Sequence, residues 1–198
     1  MLHNKLGVAA VVAALSLFSL GAQAQTKGAL TCPKGKVEAK SFAASYVPAK
    51  NSVTLFFYKD ALSEDELDAQ MAERSKFVAG DKAKGPGTGK PSKYAAYVFK
   101  LWTTVDTKPG QTANFDEIVK RAYFSYNCDD SSERVVHYDS KDSAAKMKAA
   151  FPTISVELKQ GGKITLTSKG AWDGDPKDKD RIKASWDLQG TGKVRVYE

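Results

Sequence analysis

From about residue 37 onward, apolar and polar residues alternate in short bursts, the period-two signature of strands that bury one face. Residues 52–59 (SVTLFFYK) concentrate β-branched and aromatic side chains. Residues 93–105 (KYAAYVFKLWTTV) are apolar on both faces for much of their length. In residues 117–128 (EIVKRAYFSYNC), Ile118, Ala122, Phe124, Tyr126 and Cys128 share one face, with Lys120 as the exception. Toward the end of the chain the pattern predicts two hairpins. In the first, TISVELK and KITLTSK flank Gln160-Gly161-Gly162, with Ile154, Val156 and Leu158 facing the same way as Ile164 and Leu166. In the second, Ile182, Ala184, Trp186 and Leu188 alternate with polar neighbours, a turn is expected at Gly190 and Gly192, and Val194 and Val196 return on the same side. Glycine-bearing turns between alternating runs are the local signal for such hairpins.

Two helices interrupt the strands. Residues 62–80 open with Ser63-x-x-Glu66, a capping box in which the two residues satisfy each other's free backbone N–H groups. Acidic residues crowd the first turn, where the helix dipole favours them. Leu67, Met71, Arg74 and Phe77 or Val78 fall near one face, and Gly80 is a suitable stop. Residues 140–152 predict a shorter helix with Ala144, Met147 and Phe151 on one face and Pro152 at its end.

The first residues carry a different pattern. One cation, Lys5, precedes an apolar run from about Leu6 to Leu20, followed by Ala22-Gln23-Ala24. This is the order of a secretory signal peptide, so residues 1–24 are expected to be a leader and 25–198 a single β-rich domain. The run is shorter than the roughly 20 residues a bilayer span needs, and no later segment is long and apolar enough, so no transmembrane span is expected. Export places the two cysteines, Cys32 and Cys128, among oxidants, where one disulfide is the expected outcome. Residues 25–36 are polar and small and read as an extended segment tied down by Cys32.

Residues 83–94 (AKGPGTGKPSKY) imitate a phosphate-binding loop. The pattern G-x-x-x-x-G-K-[ST] requires glycine where Lys84 stands and a hydroxyl where Pro91 stands. The element order is also reversed, with a helix before the loop and a strand after it. Nucleotide binding is therefore not expected, and residues 79–93 read as a flexible Gly/Pro/Lys loop. Its Lys82, Lys84 and Lys90 are candidate contacts for an anionic partner.

Asp173, Asp175, Asp178 and Asp180 lie within eight residues and form the candidate metal site of the chain, for calcium, which is held by clustered oxygens. The spacing departs from an EF-hand, with Lys177 and Asp178 at a ligand and the glycine position, and a polar turn accounts for the same residues. No other cofactor is expected. His137 is the one histidine beyond the leader and reads as an ordinary strand residue. Glu64, Asp65, Glu66 and Asp68 offer the paired carboxylates of a glycosidase, yet capping and dipole stabilisation account for them. Of Trp102, Trp172 and Trp186, Trp186 alternates with apolar partners and is expected in the core, while Trp172, beside the acidic turn, is a candidate partner contact.

The chain carries 30 Lys and Arg against 23 Asp and Glu, a net charge of +7. The cations are spread along the sequence without a nucleic-acid recognition motif, so the charge points to an acidic protein or an anionic envelope component rather than to nucleic acid. The expected fold is mostly β, an antiparallel two-sheet β-sandwich with two short helices in connecting segments, with a β-barrel as the alternative. The expected function is that of an exported, periplasmic or extracellular, non-catalytic binding protein acting on a protein or envelope polymer. A calcium- or carbohydrate-binding β-sandwich module and a hydrolase with an unrecognised site are the alternatives.

Overall fold

The computed structural model describes residues 25–78, 97–118, 122–128, 133–138, 141–173 and 183–198. The leader, residues 1–24, and the Gly/Pro/Lys loop with its Lys82, Lys84 and Lys90 lie outside these residues.

Strands dominate, as the alternation predicts, but they form one curled sheet, a half-barrel, rather than two separate sheets. The strands are β1 (Gln25–Cys32), β2 (Gly35–Glu38), β3 (Ser41–Val47), β4 (Ser52–Tyr58), β5 (Tyr97–Thr104), β6 (Thr112–Asn114), β7 (Ala122–Asn127), β8 (Glu133–Tyr138), β9 (Thr153–Glu157), β10 (Lys163–Trp172) and β11 (Ala184–Val196). Their order across the sheet is β6-β9-β10-β11-β3-β4-β5-β7-β8, and the β1–β2 hairpin attaches to β11. The helices are α1 (Glu64–Val78), α2 (Phe115–Ile118) and α3 (Lys141–Ala150).

The single sheet follows from β11. Its residues from Ala184 to Lys193 pair with β10, residues 185–191 also pair with β1, and Val194 to Val196 run parallel to β3. One continuous strand therefore belongs to both halves of the molecule. The turn expected at Gly190 and Gly192 does not exist. Both glycines lie inside β11, Gly190 opposite Thr26 and Leu166, and Gly192 opposite Ile164. A Cβ on Gly190 would stand 2.6 Å from the ring of Phe42, so the residue is glycine because an aromatic ring packs on its backbone. Gly170 does the same for Trp186, whose ring would meet a Cβ at 2.7 Å.

The curl is visible in the core. In sheet order β11 and β5 are three spacings apart, about 14 Å if the sheet were flat. Yet the rings of Trp186 and Phe99 approach to 5.4 Å, so the sheet bends over its own concave face. Phe42, Phe57, Phe99, Phe124, Tyr126, Phe151 and Trp186 fill that concavity, each at most 3 % exposed. The first predicted hairpin is as expected: Val156 opposes Ile164, Ile154 opposes Leu166, and all four are buried with Leu158. Helix α3 closes the concave side with Met147 and Ala150, and Phe151 follows at its end. The indole N–H of Trp186 donates to Ser168 Oγ at 2.7 Å, and that hydroxyl donates to the carbonyl of Ala150 at 2.8 Å, tying α3 to β10. The Cys32–Cys128 disulfide joins β1 to the end of β7, across the same concavity.

Residues 117–128 divide where one strand was expected. Ile118 belongs to the short α2, whose start is fixed by Asn114 N–H donating to Glu117 Oε2 at 2.5 Å, and β7 begins at Ala122. Ile118, Ala122, Phe124 and Tyr126 are buried as the pattern requires.

Helix α1 makes a second layer on the outer face. Leu67 and Met71 pack on Ala43, Phe56, Tyr58 and Tyr97, forming a smaller core. Every residue of β3 and β4 is buried, and on β4 helix α1 covers Phe56 and Tyr58, the aromatic end of the outer face. The capping box forms as its spacing predicts. Ser63 N–H donates to Glu66 Oε2 at 2.7 Å, and Glu66 N–H donates back to Ser63 Oγ at 3.3 Å.

Candidate functional site

The concave face is occupied by the protein's own aromatic rings, so the polar, solvent-facing side chains of the sheet stand on its outer face. On the outer face of β2, β1, β11 and β10 lies an open groove of about 690 Å³, lined mainly by outward-pointing side chains. Strand alternation sets who stands there. Leu30, Trp186 and Leu188 point into the core, so their neighbours Ala29, Ser185, Asp187 and Gln189 point out. The register then builds the surface row by row. Lys169 pairs with Asp187, which pairs with Ala29. Ala171 pairs with Ser185, which pairs with Thr31, which pairs with Lys36. Lys27 stands opposite Gln189.

The floor is thus made of small side chains, and three lysines, Lys27, Lys36 and Lys169, stand around it with two carboxylates, Asp187 and, opposite Ala29 on β2, Glu38. Lys169 Nζ lies 3.2 Å from Asp187 Oδ2, and Lys36 Nζ lies 3.9 Å from Glu38 Oε1. These side chains are 60 to 76 % exposed, so each pair contributes only about 0–1 kcal/mol and yields readily to a stronger anion. The backbones come unusually close at Gly28, where φ is +112° and a Cβ would stand 1.9 Å from the Asp187 carbonyl oxygen. Glycine is required at that position, and it sets the depth of the groove between β1 and β11.

The candidates drawn from the sequence fall elsewhere. Asp173 is fully solvated and lies 3.7 Å from Lys183 Nζ, while Asp175, Asp178 and Asp180 lie outside the described residues. Among the described residues no three His, Cys, Asp or Glu side chains are grouped to hold a metal ion. Trp186 is in the core, as expected. Trp172 is half-buried against that core rather than standing free beside the acidic turn. Trp102 is half-buried on the outer face of β5, where it stacks on Tyr123 with centroids 5.0 Å apart, and Lys100 Nζ lies 5.7 Å from the Tyr123 ring. His137 lies in β8 at the register position opposite Tyr123. No described helix is long and apolar enough to cross a membrane.

The acidic start of α1 has structural partners. Arg195, 3 % exposed, donates to Glu64 Oε2 at 2.7 Å and to Asp68 Oδ1, and Lys193 Nζ lies 3.0 Å from Glu64. Glu66 caps the helix, and its carboxyl is held below the ordinary glutamate value by the Ser63 backbone N–H and then by the Ser63 hydroxyl. The Arg195 and Lys193 contacts clamp α1 to the end of β11 and account for Glu64 and Asp68, and the cap accounts for Glu66. Beneath the helix, burial pushes the Tyr58 phenol up to about 12, against the opposing pull of the Arg74 guanidinium.

Lys27, Lys36, Lys169 and Asp187 were not legible as a group in the sequence. Each occupies a polar position of an alternating run, but only the long-range β1–β11 pairing makes them neighbours. Compared with known proteins, the chain matches no family model, no curated protein and no solved structure.

Proposed function

We propose that this is an exported, non-catalytic binding protein that engages an acidic protein or an anionic envelope polymer through the outer groove of β2, β1, β11 and β10. The observation that carries this reading is the arrangement of Lys27, Lys36 and Lys169 around a floor of small side chains, where they outnumber the two exposed carboxylates beside them, Asp187 and Glu38. Such a surface attracts negative charge from solution and still lets a chain-like partner lie close to the sheet. The disulfide suits an oxidising compartment, in keeping with the leader-like first residues. The net charge of +7 adds a general attraction, which the groove focuses.

Two variants of equal net charge separate focus from bulk charge. In the first, Lys27, Lys36 and Lys169 are each changed to Glu. In the second, Lys50, Lys108 and Lys148, away from the groove, are changed to Glu. On a heparin column developed with salt, the groove variant is expected to elute well before the wild type and before the control variant. Equal early elution of both variants would reduce the effect to net charge and remove this reading.

A further inference from the structure

We infer that the partner of the groove is an acidic polysaccharide in which charged sugars alternate with uncharged ones, an inference that rests on the groove being the binding face. The first support is charge spacing. The register places Lys27, Lys36 and Lys169 on different strands, with Cα positions about 12 to 16 Å apart on sheet spacings of about 4.8 Å between strands and 3.4 Å along them. Backbones set this far apart let the three side chains reach toward separate anions. An extended run of acidic residues presents charges on one face about 7 Å apart, closer than the spacing of these lysine backbones. A polymer with neutral units between its carboxylates suits the wider triangle.

The second support is the chemistry between the lysines. Thr31, Ser185, Gln189 and Asp187 supply hydroxyl, amide and carboxylate groups in the space the cations enclose. Sugar hydroxyls both donate and accept, and this mixture answers both. The third support is the floor. Protein partners are gripped by large aromatic or arginine side chains seated in pockets. The outward side chains of the floor are Ala29, Thr31, Ala171 and Ser185, which offer no such anchor but form a smooth trough for a ring lying flat. A Lys169 ammonium released from Asp187 takes up the polymer carboxylate, and Asp187 then accepts from a sugar hydroxyl.

Isothermal titration calorimetry on the disulfide-bonded protein tests this with three probes: hyaluronan, an alternating uronate polysaccharide; dextran, a neutral one; and poly-L-glutamate. Hyaluronan is expected to bind, dextran to give no heat, and poly-L-glutamate to bind at least tenfold more weakly. Lys27→Ala and Lys36→Ala, exposed changes checked for an unaltered circular dichroism spectrum and melting temperature, are each expected to weaken hyaluronan about tenfold, as loss of a charge-assisted contact does. Poly-L-glutamate binding as tightly as hyaluronan, and depending on the same lysines, would overturn the polysaccharide assignment and leave the groove reading standing. Absence of heat with hyaluronan would overturn the assignment alone, since the heparin comparison judges the groove independently. Hyaluronan binding that ignores both substitutions would overturn both.

Discussion

The guanidinium of Arg195 donates to Glu64 Oε2 at 2.7 Å, joining the last strand to the first turn of α1 across 131 positions of sequence. Arg195 is buried, whereas Glu64 and Asp68 are about half exposed. Loss of the arginine lets the two carboxylates return to water and keep Lys193, but loss of both carboxylates strands a buried cation. The double variant Glu64→Ala/Asp68→Ala is therefore expected to cost about 3–5 kcal/mol, and Arg195→Met less. Urea unfolding of the single, double and triple variants checks this. The triple variant should recover much of the loss, because no buried charge is left unpaired.

The disulfide closes a loop of 96 positions. Constraint of the unfolded chain by a loop of that size is worth about 4.7 kcal/mol in the chain-entropy description. Cys32→Ala/Cys128→Ala is expected to unfold at lower urea concentration by a margin of that order, with a steeper dependence on urea because the unlinked chain exposes more surface. Unfolding of the oxidised protein and the variant under the same conditions gives the comparison.

Gly190 distinguishes a strand from a turn. In a turn, Asn would replace it at little cost. Inside β11, any Cβ meets the Phe42 ring at 2.6 Å, so Gly190→Asn is expected to destabilise by about 1–3 kcal/mol, the usual cost of overpacking. Adding Phe42→Leu should recover part of that loss, as read in the melting temperatures of the single and double variants.

Two titrations act on the fold in opposite directions of pH. The Tyr58 phenol is raised from 10.0 to about 12, so its neutral form is favoured in the fold. Its contribution is whole below pH 10 and is lost as the pH rises from 10 toward 12. Absorbance titration at alkaline pH should lose one late phenolate step in Tyr58→Phe, while Tyr46 and Tyr197, also raised by burial, keep theirs. The Glu66 carboxyl is lowered, so its contribution is present above the ordinary value of 4.5 and is lost as acid protonates it. Ser63→Ala removes the hydroxyl but keeps the backbone N–H, so the Glu66 carboxyl resonance should move only part of the way toward its ordinary titration in carbon-detected NMR.

Local patterns carried much of the fold in the sequence. The capping box at Ser63 and Glu66, the buried face of Ala122, Phe124 and Tyr126, and the hairpin around Gly161 all depend on neighbours within a few residues. The disulfide was legible because two cysteines allow one internal pairing. What escaped depends on distant partners. Gly190 and Gly192 look like a turn locally, and only Phe42, far away in sequence, makes Gly190 a strand residue. Phe56 and Tyr58 are aromatic on the outer side of β4 because α1 covers them. The groove was hidden for the same reason: Lys27 and Lys169 are 142 positions apart and meet only through β11.

The proposed recognition role of the outer groove is tested most directly by amide NMR of the labelled protein during addition of an anionic polysaccharide. Shift changes are expected to concentrate at Lys27, Ala29, Lys36, Lys169 and Asp187, and to vanish when the three lysines are replaced. Changes scattered over lysines throughout the molecule, or centred on the Trp102–Tyr123 stack, would contradict it.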